Sequence, residues 1–272
     1  MDLSLDGGSR VYVAATDCAC IYGGDVEPPE YGLGIAYVTN ASGSWTRATV
    51  PGIGDGGLSM AVDGNRKVHV LFGSYGTDEL DYATNRSGQW AVMTIASGAF
   101  YPSPSVAVDG AGKVHVAYVG GDRSGANPGI YYATNQSGDW ARTLITSVTA
   151  GSPDLALDAN GKVHVAFFVN SDANPGIYYA TNESGGWVTT RVTTNVSYDA
   201  TSLALDGNGK AHIALTRGSS GIYYATNASG SWVATRLTSD DADAQPTVAV
   251  DAAGTVHVAF VRSGIGLYYA HD

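Results

Sequence analysis

From Ser105 to Tyr118 the chain reads Ser-Val-Ala-Val-Asp-Gly-Ala-Gly-Lys-Val-His-Val-Ala-Tyr, so β-branched residues recur at every second position on either side of a short polar stretch. A period of two in short, β-branched runs predicts strands, here 105–109 and 114–118. Asp109-Gly-Ala-Gly-Lys113 between them supplies an Asp and two Gly, the residues that tolerate the backbone of a tight hairpin. Ile130–Thr134 and Trp140–Thr146 are predicted as a third and a fourth strand, joined by the turn residues Asn135-Gln-Ser-Gly-Asp139. Helical periodicity is found nowhere in the chain.

This pattern repeats, most clearly over 105–140, 155–187 and 203–232. The Asp that opens the first turn marks the register at Asp6, Asp63, Asp109, Asp158, Asp206 and Asp251, a period of about 48 residues and six copies. A Trp marks the start of the fourth strand at Trp45, Trp90, Trp140, Trp187 and Trp232, and the sixth copy has none. Four antiparallel strands per unit of this length are the signature of a propeller blade. Six units of four strands, less one, predict an all-β six-bladed β-propeller of 23 strands whose last blade is three-stranded. The expected domain is a single one over 1–272, with repeats at about 1–50, 57–96, 102–147, 152–194, 200–238 and 245–272. The fourth strand of each blade is expected outermost, where its loss costs least.

The segment Leu203-Ala-Leu-Asp-Gly-Asn-Gly-Lys-Ala-His212 resembles the Asp-then-Gly hairpin of bacterial β-propeller repeat proteins, the group with NHL-type and Asp-box (BNR) repeats. The resemblance covers the whole chain and implies the propeller fold. His stands where an Asp-box closes on an aromatic residue, so sialidase-like activity is not implied.

Five second strands carry a His, at His69, His115, His164, His212 and His257, with Tyr12 in the first copy. If the hairpin pairs Asp109 with Lys113, Ala107 faces His115, and Ser4, Ala61, Ala156, Ala204 and Ala249 take the same place elsewhere. A small residue that makes room for an imidazole is a packing unit, whereas a metal site needs ligands converging at one point. Each turn likewise offers a single Asp, fewer carboxylates than a calcium loop gathers, and its side chain can bond nearby amides instead. Asn40, Asn85, Asn135, Asn182 and Asn227 each begin an Asn-x-Ser glycosylation sequence, which comes with the turn chemistry.

Composition narrows the function. With 14 basic against 25 acidic side chains the 272-residue chain carries a net charge of −11, so nucleic acid is not expected as a partner. An apolar share of 44% is enough to bury a core. No apolar run approaches the length of a membrane helix, so membrane insertion is not expected either. Cys18 and Cys20, spaced by one residue, are free thiols, a strained bridge or a soft-metal pair. The sequence does not fix the location; an extracellular or periplasmic one is favoured, any export signal having been removed or never having existed.

In a blade the two hairpin turns lie at one end, and the connections from second to third strand and from blade to blade lie at the other. The turns repeat and the connections vary, so the site is expected at the variable end. That end collects 13 acidic residues against Arg123, Arg217 and Arg262, with tyrosines interspersed. The residues expected to bind ligand are Asp17, Tyr31, Tyr75, Asp78, Tyr101, Asp122, Asp172, Tyr198 and Asp241. Carboxylates beside aromatic faces suit sugars, cations or a basic protein surface. The leading expectation is a monomeric, lectin-like, non-catalytic module that recognises a glycan or a protein surface and needs no cofactor. The alternative is a calcium-dependent propeller hydrolase such as a lactonase, with Asp17, Asp78, Asp122 and Asp172 around a metal at the mouth of the central channel. No acid, base or nucleophile can be assigned for it from the sequence.

Overall fold

The structure is a computed structural model. It describes residues 2–6, 8, 10–17, 34–54, 57–74, 77–99, 103–121, 124–170, 173–194, 201–217 and 220–271. The alternating segments form 23 strands in six antiparallel sheets, and the described residues contain no α-helix. The sheets are β1 (Asp2–Leu5), β2 (Val11–Asp17), β3 (Gly34–Thr39) and β4 (Thr46–Ile53); then β5 (Leu58–Val62), β6 (Val68–Ser74), β7 (Glu79–Thr84) and β8 (Ala91–Ser97). The third holds β9 (Ser105–Val108), β10 (Val114–Gly120), β11 (Gly129–Thr134) and β12 (Ala141–Thr146). The fourth holds β13 (Ala150–Leu157), β14 (Val163–Val169), β15 (Gly176–Thr181) and β16 (Val188–Arg191). The fifth holds β17 (Thr201–Leu205), β18 (Ala211–Thr216), β19 (Ile222–Thr226) and β20 (Val233–Arg236). The last has three strands, β21 (Asp243–Val250), β22 (Val256–Arg262) and β23 (Gly266–His271). Strand order follows chain order in every sheet, as in the blades of a six-bladed β-propeller.

The hairpin register is the one the alternation predicts. Val108 pairs with Val114 and Ala107 with His115, and Ala61–His69, Ala156–His164, Ala204–His212, Ala249–His257 and Ser4–Tyr12 repeat the pair. In the four-stranded sheets the two inner strands are the most buried, with every residue of β11 and β18 enclosed, while β20 is exposed throughout. The fourth strand is thus the one each sheet depends on least. β1 pairs with β2 in its own sheet, and β21, β22 and β23 stand as a three-stranded sheet.

By contacts the chain divides into two compact units, Met1–Asn127 with Tyr131–Thr143, and Pro128–Ile130 with Leu144–Asp272. In the first, Tyr12, Ile35, Val50, Val68, Val70 and Phe72 form one apolar cluster, and Leu71, Leu80, Val114, Val116 and Tyr118 another. In the second, Ile177, Leu203, Ile213 and Leu215 pack together, as do Ile222, Val248, Val258 and Phe260. Each such side chain contributes about 1.5–3 kcal/mol by leaving water. Neighbouring sheets are also tied by first-strand polar groups. The amide of Met60 donates to Asp2 Oδ2 at 2.7 Å, and that of Leu203 donates to Asp154 Oδ2 at 2.7 Å. Where it meets β14, β13 shifts register between Gly151 and Asp154, and Ser152 there has a φ of 44°.

Candidate functional site

At the repeating end, each turn Asp holds its own hairpin. Asp109 Oδ1 accepts the amides of Ala111 at 2.9 Å and Lys113 at 2.8 Å, and its Oδ2 lies 3.5 Å from His115 Nε2. On the other side of the ring, His115 Nδ1 is 2.6 Å from the Tyr132 hydroxyl. The same Asp–His–Tyr line runs through Asp63–His69–Tyr82, Asp158–His164–Tyr179, Asp206–His212–Tyr224 and Asp251–His257–Tyr269. Burial lowers the pKa of His69, His115 and His164 and raises that of Tyr82, Tyr132 and Tyr179. Burial also works to raise Asp109, but the Lys113 amide and the imidazole of His115 outweigh it and hold the carboxyl below its usual range. The sequence reading of these His as packing units omitted the tyrosine bond. Its signal was the Tyr-Tyr pair of every third strand from β11 onward.

The turn asparagines are structural as well. Asn135 Oδ1 accepts the amide of Val114 at 2.9 Å, and Asn40, Asn85, Asn182 and Asn227 bond Val11, Val68, Val163 and Ala211 in the same way. The Trp that follows packs edge-on against a Tyr of the preceding sheet, with centroids 5.9 Å apart for Trp90 on Tyr37, 5.3 Å for Trp140 on Tyr82 and 5.2 Å for Trp232 on Tyr179. The Asn of each turn thus ties strands within its own sheet, and the Trp ties that sheet to the one before it.

At the variable end, Tyr31, Tyr75, Tyr101, Asp122, Asp172 and Tyr198 lie outside the described residues, as do Cys18 and Cys20. Asp17 closes β2, and only its backbone is described. Asp78 is half-buried ahead of β7, with a φ of 55° and a carbonyl that accepts the Ala99 amide at 2.9 Å. Asp241 is exposed in the turn before β21. Asp78 and Asp241 belong to different units. The acidic census needs one correction, because Asp243 is buried in an internal ion pair rather than offered to a ligand. Arg262 Nε and a terminal nitrogen reach its two oxygens at 2.6 and 3.0 Å, and Asp240 lies 3.2 Å from the same Nε. The Arg262 guanidinium also lies over Tyr268, 4.5 Å from the ring centroid.

A cavity of about 320 Å³ opens at this end of the fourth and fifth sheets, lined by Arg191, Val192, Thr193, Thr194, Leu215, Arg217, Tyr223 and Ala234. Arg217 lies over Tyr223, 5.3 Å from the ring centroid. Arg191 is held at the rim by the Thr193 carbonyl at 3.2 Å and the Pro175 carbonyl. Two guanidinium groups, a half-buried aromatic ring and two threonine hydroxyls form a small polar site with one apolar face. The sequence reading named Arg217 only as a minority base and passed over Arg191, Thr193 and Tyr223. Arg191 ends the fourth strand of one sheet, while Tyr223 lies beside Arg217 through the β18–β19 pairing of the next.

The chain has the β-propeller fold. It superposes on a protein of unknown function from Dyadobacter fermentans with a TM-score of 0.64 at 10% identity, over 99% of this chain and 92% of that one. It matches an α-L-arabinofuranosidase from Fusarium graminearum with a TM-score of 0.61 at 12% identity, over 100% and 91% of the two chains. An ulvan lyase, a polysaccharide lyase solved with a glucuronic acid–sulfated rhamnose ligand, matches with a TM-score of 0.62 at 12% identity, over 98% and 79%. No protein-family model matches the chain, and no curated protein matches it in sequence. At these identities the likeness is one of fold.

Proposed function

We propose that this protein is a non-catalytic carbohydrate-binding propeller, with hairpins related to the NHL and Asp-box repeats, that seats a sugar in the cavity beside Tyr223. The observation that carries this reading is the pairing of Arg217 with the Tyr223 ring inside a 320 Å³ cavity at the variable end. A sugar presents an apolar C–H face and a rim of hydroxyls. An aromatic ring flanked by fixed N–H donors meets both. Two of the solved neighbours, the arabinofuranosidase and the ulvan lyase, act on glycans, which supports carbohydrate over a protein ligand. Asp17, Tyr31, Tyr75, Asp78, Tyr101, Asp122, Asp172, Tyr198 and Asp241 are proposed as further ligand contacts, each at the variable end of its own sheet, where carboxylates accept hydrogen bonds from sugar hydroxyls.

A glycan array probed with the labelled chain tests the reading. Binding to a defined set of oligosaccharides is expected, and Arg217→Ala should lose the set while keeping its β-sheet circular dichroism. An array in which Arg217→Ala binds the same glycans as the unaltered chain overturns the assignment of the cavity.

A further inference from the structure

The fourth sheet carries a side-chain cluster at the opposite, repeating end that the proposed function does not use. Asp158, in the turn from β13 to β14, His164, on β14, and Glu183, in the turn from β15 to β16, each bring one ligand atom to within 4.8 Å of the others. His164 Nε2 lies 3.9 Å from Asp158 Oδ2 and 4.0 Å from Glu183 Oε1. The imidazole is fully buried, and its Nε2 has no hydrogen-bond partner although it points at both carboxylates. A buried nitrogen facing two acceptors at such distances lacks what either a donor or a cation would supply.

The repeat provides an internal comparison. Where the fourth sheet has Glu183, the other turns have Ala41, Arg86, Gln136 and Ala228. His69 also has an Nε2 without a hydrogen-bond partner, 3.7 Å from Asp63, but the position equivalent to Glu183 is Arg86, whose charge opposes a cation. The His–Asp pair is thus shared by five of the sheets, and the third ligand is particular to one of them.

We propose that Asp158, His164 and Glu183 bind a divalent transition-metal ion, with zinc the best fit, through His164 Nε2 and one oxygen of each carboxylate. Nitrogen with two carboxylates is a ligand set for zinc or its neighbours, which takes three protein groups and a water at about 2.0–2.2 Å. Calcium asks for six to eight oxygens and finds two carboxylates here. The ring is already oriented, because Nδ1 is bonded to the Tyr179 hydroxyl, the outer bond that a metal-binding imidazole ordinarily makes. Glu183 is exposed, so it can move toward the ring and Asp158 without disturbing the core. The ion would pin both hairpin turns of the sheet to its second strand.

The test is titration of the chelator-treated full chain with zinc, followed by calorimetry and by thermal unfolding. One zinc per chain and a rise in Tm of several degrees are expected. Calcium at the same concentration should produce neither. Glu183→Gln should weaken zinc binding about tenfold or more while leaving the metal-free Tm unchanged, since the side chain is exposed. Ala228→Glu supplies the missing ligand to the fifth sheet, beside Asp206 and His212, and should raise the stoichiometry to two. Cobalt in place of zinc should give the visible absorption of a four-coordinate site, and Glu183→Gln should remove it. Absence of saturable zinc binding, or full binding by Glu183→Gln, overturns the proposal. Because Glu183 lies in the β15–β16 turn at the repeating end of the fourth sheet and Tyr223 at the variable end of the fifth, glycan binding by Glu183→Gln keeps this failure separate from any failure of the cavity assignment.

Discussion

The hydroxyl of Tyr132 lies 2.6 Å from Nδ1 of His115, and the two side chains are held together inside the third sheet with Asp109 beyond the far nitrogen of the ring. The partnership follows from strand geometry. In the fourth sheet His164 pairs with Thr181, so Tyr179, two residues earlier on β15, stands on the same face at the diagonal position and can reach the ring. A polar line of this kind is strong when complete and costly when broken. Tyr132→Phe should therefore destabilise the chain by about 1–2 kcal/mol, because it leaves a buried ring nitrogen unsatisfied. His115→Ala should cost more, about 3 kcal/mol, since it adds a cavity. Urea denaturation of both variants measures the difference, and neither should alter glycan binding.

The buried imidazoles set the acid limit of stability. Burial lowers the pKa of His69, His115 and His164 below the ordinary value of 6.5, so these rings are neutral in the folded chain and gain protons more readily once unfolded. The unfolded state then binds more protons, and stability rises with pH across that window. Stability should be level above about pH 7 and should fall as the pH drops below about 6.5. A second loss should follow in stronger acid. The carboxyl of Asp6 is held at about 2 by the Arg10 amide, and Asp251 is lowered by the Thr255 amide, so both bonds are lost only when these acids are protonated. Unfolding midpoints in urea at pH 8, 6.5 and 5 check the first step.

Close packing in the first unit makes a further prediction. A Cβ built on Gly120 would lie 2.3 Å from two ring atoms of Tyr131, which is stacked on Tyr118 and covered by Arg142 at 3.8 Å from its centroid. The ring has protein on both faces. Gly120→Ala should destabilise by about 2 kcal/mol through overpacking, read as a lower Tm with an unchanged urea m-value.

Much of the fold is legible in the chain because local rules and tertiary rules agree in it. The Asp-Gly turns, the period of two and the Ala–His pairing each specify the same hairpin, and the register of β9 with β10 follows from any of them. The site is less legible for a physical reason. Arg191, Arg217 and Tyr223 come from a fourth strand, a connection and a third strand of two successive sheets, and their meeting depends on how those sheets pack, which no local pattern in the sequence encodes. Charge counting has a related weakness. Asp243 counts as an exposed acid in the sequence, yet Arg262, 19 residues later, neutralises it within the sheet across the β21–β22 pairing. Composition records how many charges an end of the molecule carries, and only pairing decides which of them a ligand can meet.

The central claim is that the cavity beside Tyr223 holds a sugar, and the most direct measurement is calorimetric titration of one array-selected oligosaccharide into the unaltered chain and into Tyr223→Ala. Loss of the aromatic face should weaken binding by about tenfold or more, beyond the lower Tm expected from removing a ring that also packs on the Leu203, Ile213 and Leu215 cluster, with the fold kept as read by circular dichroism. Equal affinity for the two proteins would contradict the account and move the binding site away from this cavity.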